Sequence, residues 1–175
     1  MPQSVTHILV PLIVMALIRE WYEAKTKKKF PLHYVLIAGL AGALPDFDIA
    51  AYFLLQGFGF TLEEVHRTIA HTVFVPLIFV AIFFLIPNRS KKDRLSRKYI
   101  LLMMAFGAFF HLILDGTLSG HIHPFFPISD YKFGLNLFSY FPDNIERLIP
   151  ASLDAALLII WLVYMGLKSK FKNFI

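Results

Sequence analysis

The sequence predicts an all-α fold, an integral membrane bundle of about five transmembrane helices. Of its 175 residues, 57% are hydrophobic, and the mean hydropathy is +0.62. A soluble domain is roughly 45–50% apolar. Apolar runs close to the ~20 residues that cross a bilayer alternate with clusters of Lys and Arg. The sequence contains no internal repeat and no Gly/Ser linker, so residues 1–175 are predicted to form a single domain.

Five apolar runs define the predicted spans, and basic clusters follow the first, third and fifth of them. The runs are 5–21, 33–58, 61–86, 99–118 and 151–167. Lys and Arg concentrate at 25–29, 89–98 and 168–172. Cytoplasmic loops carry the excess of Lys and Arg, and five spans place all three clusters on that side. The N-terminus and the loop at 117–150 are then expected outside, and the C-terminus in the cytoplasm.

The first run is predicted to be a retained helix rather than a cleaved signal peptide. A signal peptide has its positive charges ahead of the apolar stretch, whereas here they follow it. Thr6 is expected to cap the start of this helix. His7, in the first turn, is either a solvated interfacial residue or a member of a polar site.

The second run is predicted to break at Pro45, within Leu44-Pro45-Asp46-Phe47-Asp48. Proline lacks the backbone N–H of a helix interior and disfavours the α region at Leu44. Broken backbone at membrane depth is tolerated where it is buried in protein or lines a wet cavity. In an extended segment Asp46 and Asp48 project to the same side. The alternative, in which Asp46 caps the second half-helix, accounts for only one of the two carboxylates.

The third run begins at Thr61 and carries the motif His66-Arg67-Thr68-Ile69-Ala70-His71 in its first half. Ionisable groups at membrane depth usually face an interior site or a water-filled cavity. On a continuous helix, His66 and His71 lie about 140° apart. They are therefore predicted to serve two metals, or to divide between metal binding and the handling of substrate or protons. Arg67 shares a helix face with His71 and is suited to bidentate phosphate contact.

The remaining polar residues lie in the fourth run, the loop after it and the fifth run. His111 and Asp115 are stacked on one helix face by their i, i+4 spacing. Either a single metal binds both side chains, or Asp115 orients His111 by a hydrogen bond to the imidazole nitrogen that does not bind the metal. The alternative is a buried His–Asp hydrogen bond with no metal. His121 and His123 bind metal or substrate, or are simply exposed, in a long loop. Asp154 either joins the site or complements the dipole of the last helix.

In the predicted topology, eight polar residues fall in the outer half of the membrane: His7, Asp46, Asp48, His66, His71, His111, Asp115 and Asp154. Cysteine is absent, so any metal must be bound by His and by Asp or Glu. The sequence therefore predicts one His/Asp metal site near the outer face. The net charge of +5 does not indicate nucleic acid, because the positive residues cluster between apolar runs.

Four short motifs, in this order and spacing, resemble the family of inner-membrane-associated, LexA-binding hydrolases, also labelled membrane-bound metal-dependent hydrolases. The motifs are Thr6-His7, Leu44-Pro45-Asp46-Phe47-Asp48, His66-Arg67 with His71, and His111 with Leu114-Asp115. The resemblance covers nearly the whole chain. It implies metal-site roles for His7, Asp46, Asp48, His66, His71, His111 and Asp115. The His-x-x-x-Asp element is also distantly similar to zinc-dependent phospholipase C, which suggests phosphoester chemistry.

The expected function is metal-dependent hydrolysis of a lipid or lipid-linked phosphoester at the outer face of the cytoplasmic membrane. The expected ligands of a divalent metal, with Zn²⁺ favoured, are His7, Asp46, His71, His111 and Asp115. The expected catalytic residues are Asp48 or His66 as general base and Arg67 as phosphate contact, with His121 and His123 as possible substrate contacts.

Two other classes of function use the same residues. In a small transporter or proton-coupled carrier they form a relay. In a structural membrane protein they hold a metal without chemistry. The small size, the absence of repeats and the shallow placement of the cluster weigh against the carrier.

Overall fold

The computed structural model describes residues 4–66, 68–87 and 98–167, and over these ranges the predicted all-α fold is confirmed. Arg67, most of the loop at 89–98 and the cluster at 168–172 lie outside the described residues. The α-helices are α1 (Ser4–Thr26), α2 (Leu32–Ala41), α3 (Asp48–Leu55), α4 (Leu62–Val65), α5 (Phe74–Leu85), α6 (Tyr99–Leu118), α7 (Asp143–Glu146) and α8 (Ile149–Leu167).

Three of these helices, α1, α6 and α8, are long and apolar enough to cross a membrane. A fourth candidate is α2 together with Pro45–Phe58, a pair bent by 49°. Helix α5 has 12 residues. At 1.5 Å per residue it extends about 18 Å, less than the ~30 Å of a bilayer core. The predicted count of five is thus approximate, with three or four spans and α5 as a shorter apolar helix among the described residues.

The predicted break of the second run lies where expected, but its conformation differs. Helix α2 ends at Ala41, and a 3-10 turn over Pro45–Phe47 precedes α3. Leu44 has φ −58° and ψ −45°, so the expectation that it leaves the α region for an extended segment is wrong. The N–H of Leu44 donates to Ala41 O at 3.1 Å, and the N–H of Phe47 to Leu44 O at 3.1 Å. These bonds hold a tight helical turn against the steric preference imposed by proline.

The third run is not the continuous helix expected from Thr61 to Ile86. A single turn, α4, is followed by a 3-10 turn at Ile69–His71, and α5 begins only at Phe74. Thr72 is extended, with φ −109° and ψ 155°. Because the backbone leaves the helix between His66 and His71, the expected separation of about 140° between their side chains does not apply.

The core lies where α1, α2 and α6 cross. Its buried cluster comprises Leu12, Met15, Ala16, Val35 and Ala38. A Cβ added at Gly107 of α6 would lie 2.4 Å from the carbonyl oxygen of Ala38, so the α2 and α6 backbones approach closely there. Small residues allow this approach between membrane helices. Helix α8 exposes Leu158, Ile159 and Val163, as a lipid-facing helix does.

The segment between α6 and α8 is anchored on the ends of α5 and α6. Ile122 and Phe133 exchange two backbone hydrogen bonds of 2.9 and 3.0 Å. The N–H of Leu135 donates to Gly116 O at 2.8 Å, and the N–H of Val73, just before α5, to Pro124 O at 2.9 Å. The long predicted loop therefore covers one end of the bundle.

Candidate metal centre

Four parts of the fold bring polar side chains to the same end of the bundle. His7 lies in the first turn of α1, and His111 and Asp115 lie in the last turns of α6. His71 precedes α5, and Asp46 belongs to the 3-10 turn after α2. His7, His71, His111 and Asp115 each expose 2% or less of their surface. The cluster is therefore buried inside the protein rather than spread over its surface.

The side chains of four residues form a cage of nitrogen and oxygen atoms. The Nε2 atoms of His71 and His111 lie 3.0 Å apart. Asp46 Oδ1 lies 3.6 Å from each of them, and Asp115 Oδ2 lies 3.4 Å from the first and 3.6 Å from the second. With metal–ligand bonds of about 2.0–2.2 Å, the ligand atoms of a tetrahedral zinc site lie about 3.3–3.6 Å apart. The four nitrogen–oxygen separations fall in this range and the nitrogen–nitrogen separation is slightly shorter, so the cage is close in size to a divalent metal site.

Contacts on the far side of each imidazole aim its Nε2 lone pair into the cage. His111 Nδ1 lies 2.7 Å from the carbonyl oxygen of Gly42. A carbonyl only accepts, so the proton is assigned to Nδ1 and Nε2 is left unprotonated. His71 Nδ1 lies 3.0 Å from Asp48 Oδ2, although the contact does not meet the angular criteria of a hydrogen bond. Because a carboxylate beside Nδ1 favours a proton on that nitrogen, we assign the proton of His71 to Nδ1 as well. Metal-binding histidines typically donate their other N–H to a carbonyl or carboxylate.

Asp48 lies behind His71 and also contacts His66. Its Oδ1 lies 2.8 Å from His66 Nδ1, while its Oδ2 faces His71. His66 Nε2 is buried and forms no hydrogen bond. Ligand atoms of Asp46, His66 and His71 all lie within 4.8 Å of one another. One carboxylate thus orients two imidazoles, and His66 stands beside the cage with a nitrogen available.

Asp48→Asn is expected to weaken the binding of Zn²⁺ about 10–100-fold, the usual cost of removing an outer partner of a metal ligand. The amide keeps the shape of the side chain but offers only one acceptor oxygen to the two imidazoles. Competition with a chelator in detergent would measure the affinity, with Asp143→Asn in α7 as the exposed control. Equal affinity in Asp48→Asn and the wild type would contradict this role.

The structure places the predicted site residues unequally. It brings together His7, Asp46, Asp48, His66, His71, His111 and Asp115. Asp46 and Asp48 flank opposite sides of the His71 ring, which the expected extended geometry did not imply. Arg67 lies outside the described residues. His121 is exposed, and its ring lies 5.7 Å from that of His123; neither belongs to the groups of convergent metal ligands found among the described residues.

Two supporting contacts could not be read from the sequence. Asp154 Oδ1 accepts hydrogen bonds from the N–H of Thr6, at 2.8 Å, and from its hydroxyl. Helix α8 begins at Ile149, so Asp154 lies in its second turn and not at the dipole position expected in the first. Through Thr6 it fixes the turn that carries His7. The other contact is the Gly42 carbonyl, which accepts a hydrogen bond from His111 Nδ1. For Asp154, the sequence signal is a lone Asp in an apolar run, which indicates that a partner exists but does not identify it.

An apolar groove of about 380 Å³ runs between α5 and α6. Val73 and Phe109 line one end, Val80 and Leu102 the other, and Ala105 lies between them. Seven residues of each helix separate the two ends, which corresponds to about 10 Å. Val73 lies two residues after His71 and Phe109 two residues before His111, so this end of the groove is the one nearer the cage.

The fold and the cluster define a small helical membrane protein with buried His and Asp side chains that could hold a metal ion. The chain belongs to the family of the YdjM inner membrane protein, whose family model matches residues 1–173. The expected inner-membrane location is thereby confirmed. No curated protein and no solved structure matches the chain.

Proposed function

We propose that this protein is a metal-dependent hydrolase of a lipid or lipid-linked phosphoester. One observation carries the proposal: two oriented imidazole nitrogens and two carboxylate oxygens converge at separations of 3.0–3.6 Å. Imidazole and carboxylate donors in this arrangement suit Zn²⁺, and the oxygen donors also suit Mn²⁺. The residues present therefore fit a divalent metal.

The burial of the donors indicates from which side a substrate would approach. The side chains of His71, His111 and Asp115 are at most 3% exposed, whereas that of Asp46 is 26% exposed. Three protein ligands of the His₂-carboxylate type are typical of catalytic zinc sites. Water and substrate would arrive on the Asp46 side. A divalent metal held here supplies Lewis-acid polarisation of a phosphoryl oxygen and lowers the pKa of water toward ~7.

His66 is the residue that we assign to proton transfer. Hydrolysis forms a bond from water oxygen to phosphorus, breaks the bond to the leaving alcohol, and moves one proton from the water to that alcohol. His66 donates from Nδ1 to Asp48, so its Nε2 is free to accept the proton from water and to pass it to the leaving alcohol. Both oxygens of Asp48 face imidazoles, so we assign Asp48 to orienting His66 rather than to accepting the proton itself.

The remaining predicted residues are assigned to the substrate. Arg67 is adjacent to His66 in sequence, and a guanidinium is suited to bidentate phosphate contact. His121 and His123 belong to the loop anchored beside α5, and we keep them as substrate contacts. We place this end of the bundle at the outer face, with the C-terminus cytoplasmic, because of the basic clusters at 89–98 and 168–172.

The groove between α5 and α6 supports a lipid substrate. Its volume of about 380 Å³ lies in the range of small-ligand pockets. It extends from Val73, at the end nearer the cage, along the two helices to Val80 and Leu102. An acyl chain lying in this groove would hold its phosphate-bearing end beside the metal ligands.

The test compares phosphoesters with the same headgroup and either short or long acyl chains, using purified protein in detergent. We expect hydrolysis that stops with a chelator, returns with Zn²⁺, and has a higher kcat/KM for the long-chain ester. Ala105→Phe fills the groove and should lower the long-chain kcat/KM about tenfold, the effect of roughly two lost methylene contacts at ~0.8 kcal/mol each. The short-chain ester should be unaffected, and Leu158→Phe on the exposed face of α8 is the control.

Each other outcome identifies a different class of protein. Stoichiometric metal without hydrolysis of any phosphoester would indicate a structural metal site. Metal-free wild-type protein that carries protons or ions into liposomes, with the flux lost in Asp46→Asn, would indicate a carrier. An Ala105→Phe variant with an unchanged chain-length preference would remove the groove from the proposal.

A further inference from the structure

We propose that the cluster binds two divalent cations. The first is held by His71, His111 and Asp115, the second by His7 and Asp46, and the two share the Asp115 carboxylate. The proposal rests on the metal centre of the proposed function and goes beyond the cage of four side chains described above.

His7 is the first reason for a second cation. It is 1% exposed, and neither Nδ1 nor Nε2 forms a hydrogen bond. A buried polar atom without a partner is destabilising, because it has given up its hydrogen bonds to water. Its Nε2 lies 3.2 Å from Asp115 Oδ1, but outside hydrogen-bond geometry. A nitrogen and a carboxylate oxygen at this separation have the spacing of two ligands on one metal.

Asp115 is the second reason, because its two oxygens face different partners. Oδ2 lies 3.4 Å from His71 Nε2 and 3.6 Å from His111 Nε2, inside the cage. Oδ1 faces His7 instead. A carboxylate arranged in this way offers one oxygen to each of two cations.

Asp46 completes the second set of ligands. Ligand atoms of His7, Asp46 and His111 all lie within 4.8 Å of one another. His111 is already engaged on both nitrogens, at Gly42 and in the cage, and its ring lies 4.1 Å from that of His7. The second position is therefore left to His7, Asp46 and Asp115.

The balance of charge favours the same arrangement. Asp46, Asp48 and Asp115 bring three carboxylates to one buried cluster. Buried charge needs compensation, especially at membrane depth. One divalent cation neutralises two of the carboxylates, and a second leaves an excess of positive charge that would attract a phosphate anion.

The test loads the purified full-length protein with Co²⁺, removes free ion, and measures cobalt per chain together with the electron paramagnetic resonance spectrum. The wild type should retain two cobalt ions per chain, with a signal attenuated by spin coupling through the shared carboxylate. His7→Ala should retain one and show the full signal of isolated high-spin Co²⁺. His33→Ala, which removes an exposed imidazole, should match the wild type.

The outcomes separate this proposal from the proposed function. One cobalt per wild-type chain with hydrolysis intact would overturn only the second cation, whereas no bound metal would overturn both. Two uncoupled cobalt ions would overturn the shared carboxylate, and two ions retained in His7→Ala would overturn the role of His7. If His7→Ala does not fold, the stoichiometry and spectrum of the wild type decide alone.

Discussion

Replacing His71 by alanine is expected to remove the cation held by the cage and to lower the rate of phosphoester hydrolysis roughly a thousand-fold. The His71 Nε2 atom lies within 3.6 Å of ligand atoms on His111, Asp46 and Asp115, so the substitution removes one of the four side chains that form the cage. Metal catalysis is worth several kcal/mol, and each ~1.4 kcal/mol is a factor of ten in rate. Metal content and kcat/KM, measured on the same preparation, provide the readout.

The matched control is His33→Ala. His33 is exposed and lies in the first turn of α2, whereas Asp46 follows the opposite end of that helix. This variant should keep wild-type metal content and rate, which separates a site effect from the general loss of a histidine. A His71→Ala protein that binds as much metal as the wild type would contradict the assignment of the cage.

Gly42→Ala is expected to destabilise the fold and to weaken metal binding together. A Cβ at this position would lie 1.9 Å from the carbonyl oxygen of His7 and 2.9 Å from Pro11 Cγ. Gly42 has φ −62°, which alanine adopts freely, so the cost arises from the clash alone. Overpacking of this kind costs about 1–3 kcal/mol. At roughly 2–4 °C per kcal/mol for this chain length, the melting temperature should fall by about 2–12 °C.

The loss of metal affinity has a separate cause. The Gly42 carbonyl accepts the Nδ1 proton of His111, so a shift of this backbone tilts a metal ligand. We expect affinity for Zn²⁺ to fall about 10–100-fold, as with other outer contacts. Gly57→Ala is the control, because no atom lies within 4 Å of the added Cβ. Unchanged melting and metal affinity in Gly42→Ala would show that the backbones of α1 and α2 separate easily.

Local features of the site were predictable because they depend on neighbours along the chain. The i, i+4 spacing of His111 and Asp115 needs only a continuous helix, and α6 is one. The break before Asp46 follows from Pro45. Even so, the sequence led to a wrong conformation at Leu44, since the hydrogen bonds that close this turn outweigh the preference of a residue before proline.

The relative positions of the His66 and His71 imidazoles could not be predicted from the sequence. An apolar run from Thr61 to Ile86 has the composition of one helix, and on that helix the two rings diverge. Both imidazoles instead contact Asp48, because the backbone between them is not a continuous helix. The composition of a segment indicates that it lies in the membrane. It does not indicate where the helix breaks to let its side chains contact a buried carboxylate.

The sequence by itself determined the class of protein, the approximate number of spans and most of the polar residues that gather at one end, since hydropathy and the rarity of buried charge are properties of each segment alone. Only the tertiary structure decided which atoms face each other. Thr6 meets Asp154 across 148 residues, and His111 meets Gly42 across 69. Such contacts depend on how whole helices pack, and no local pattern of residues encodes the packing of a distant helix.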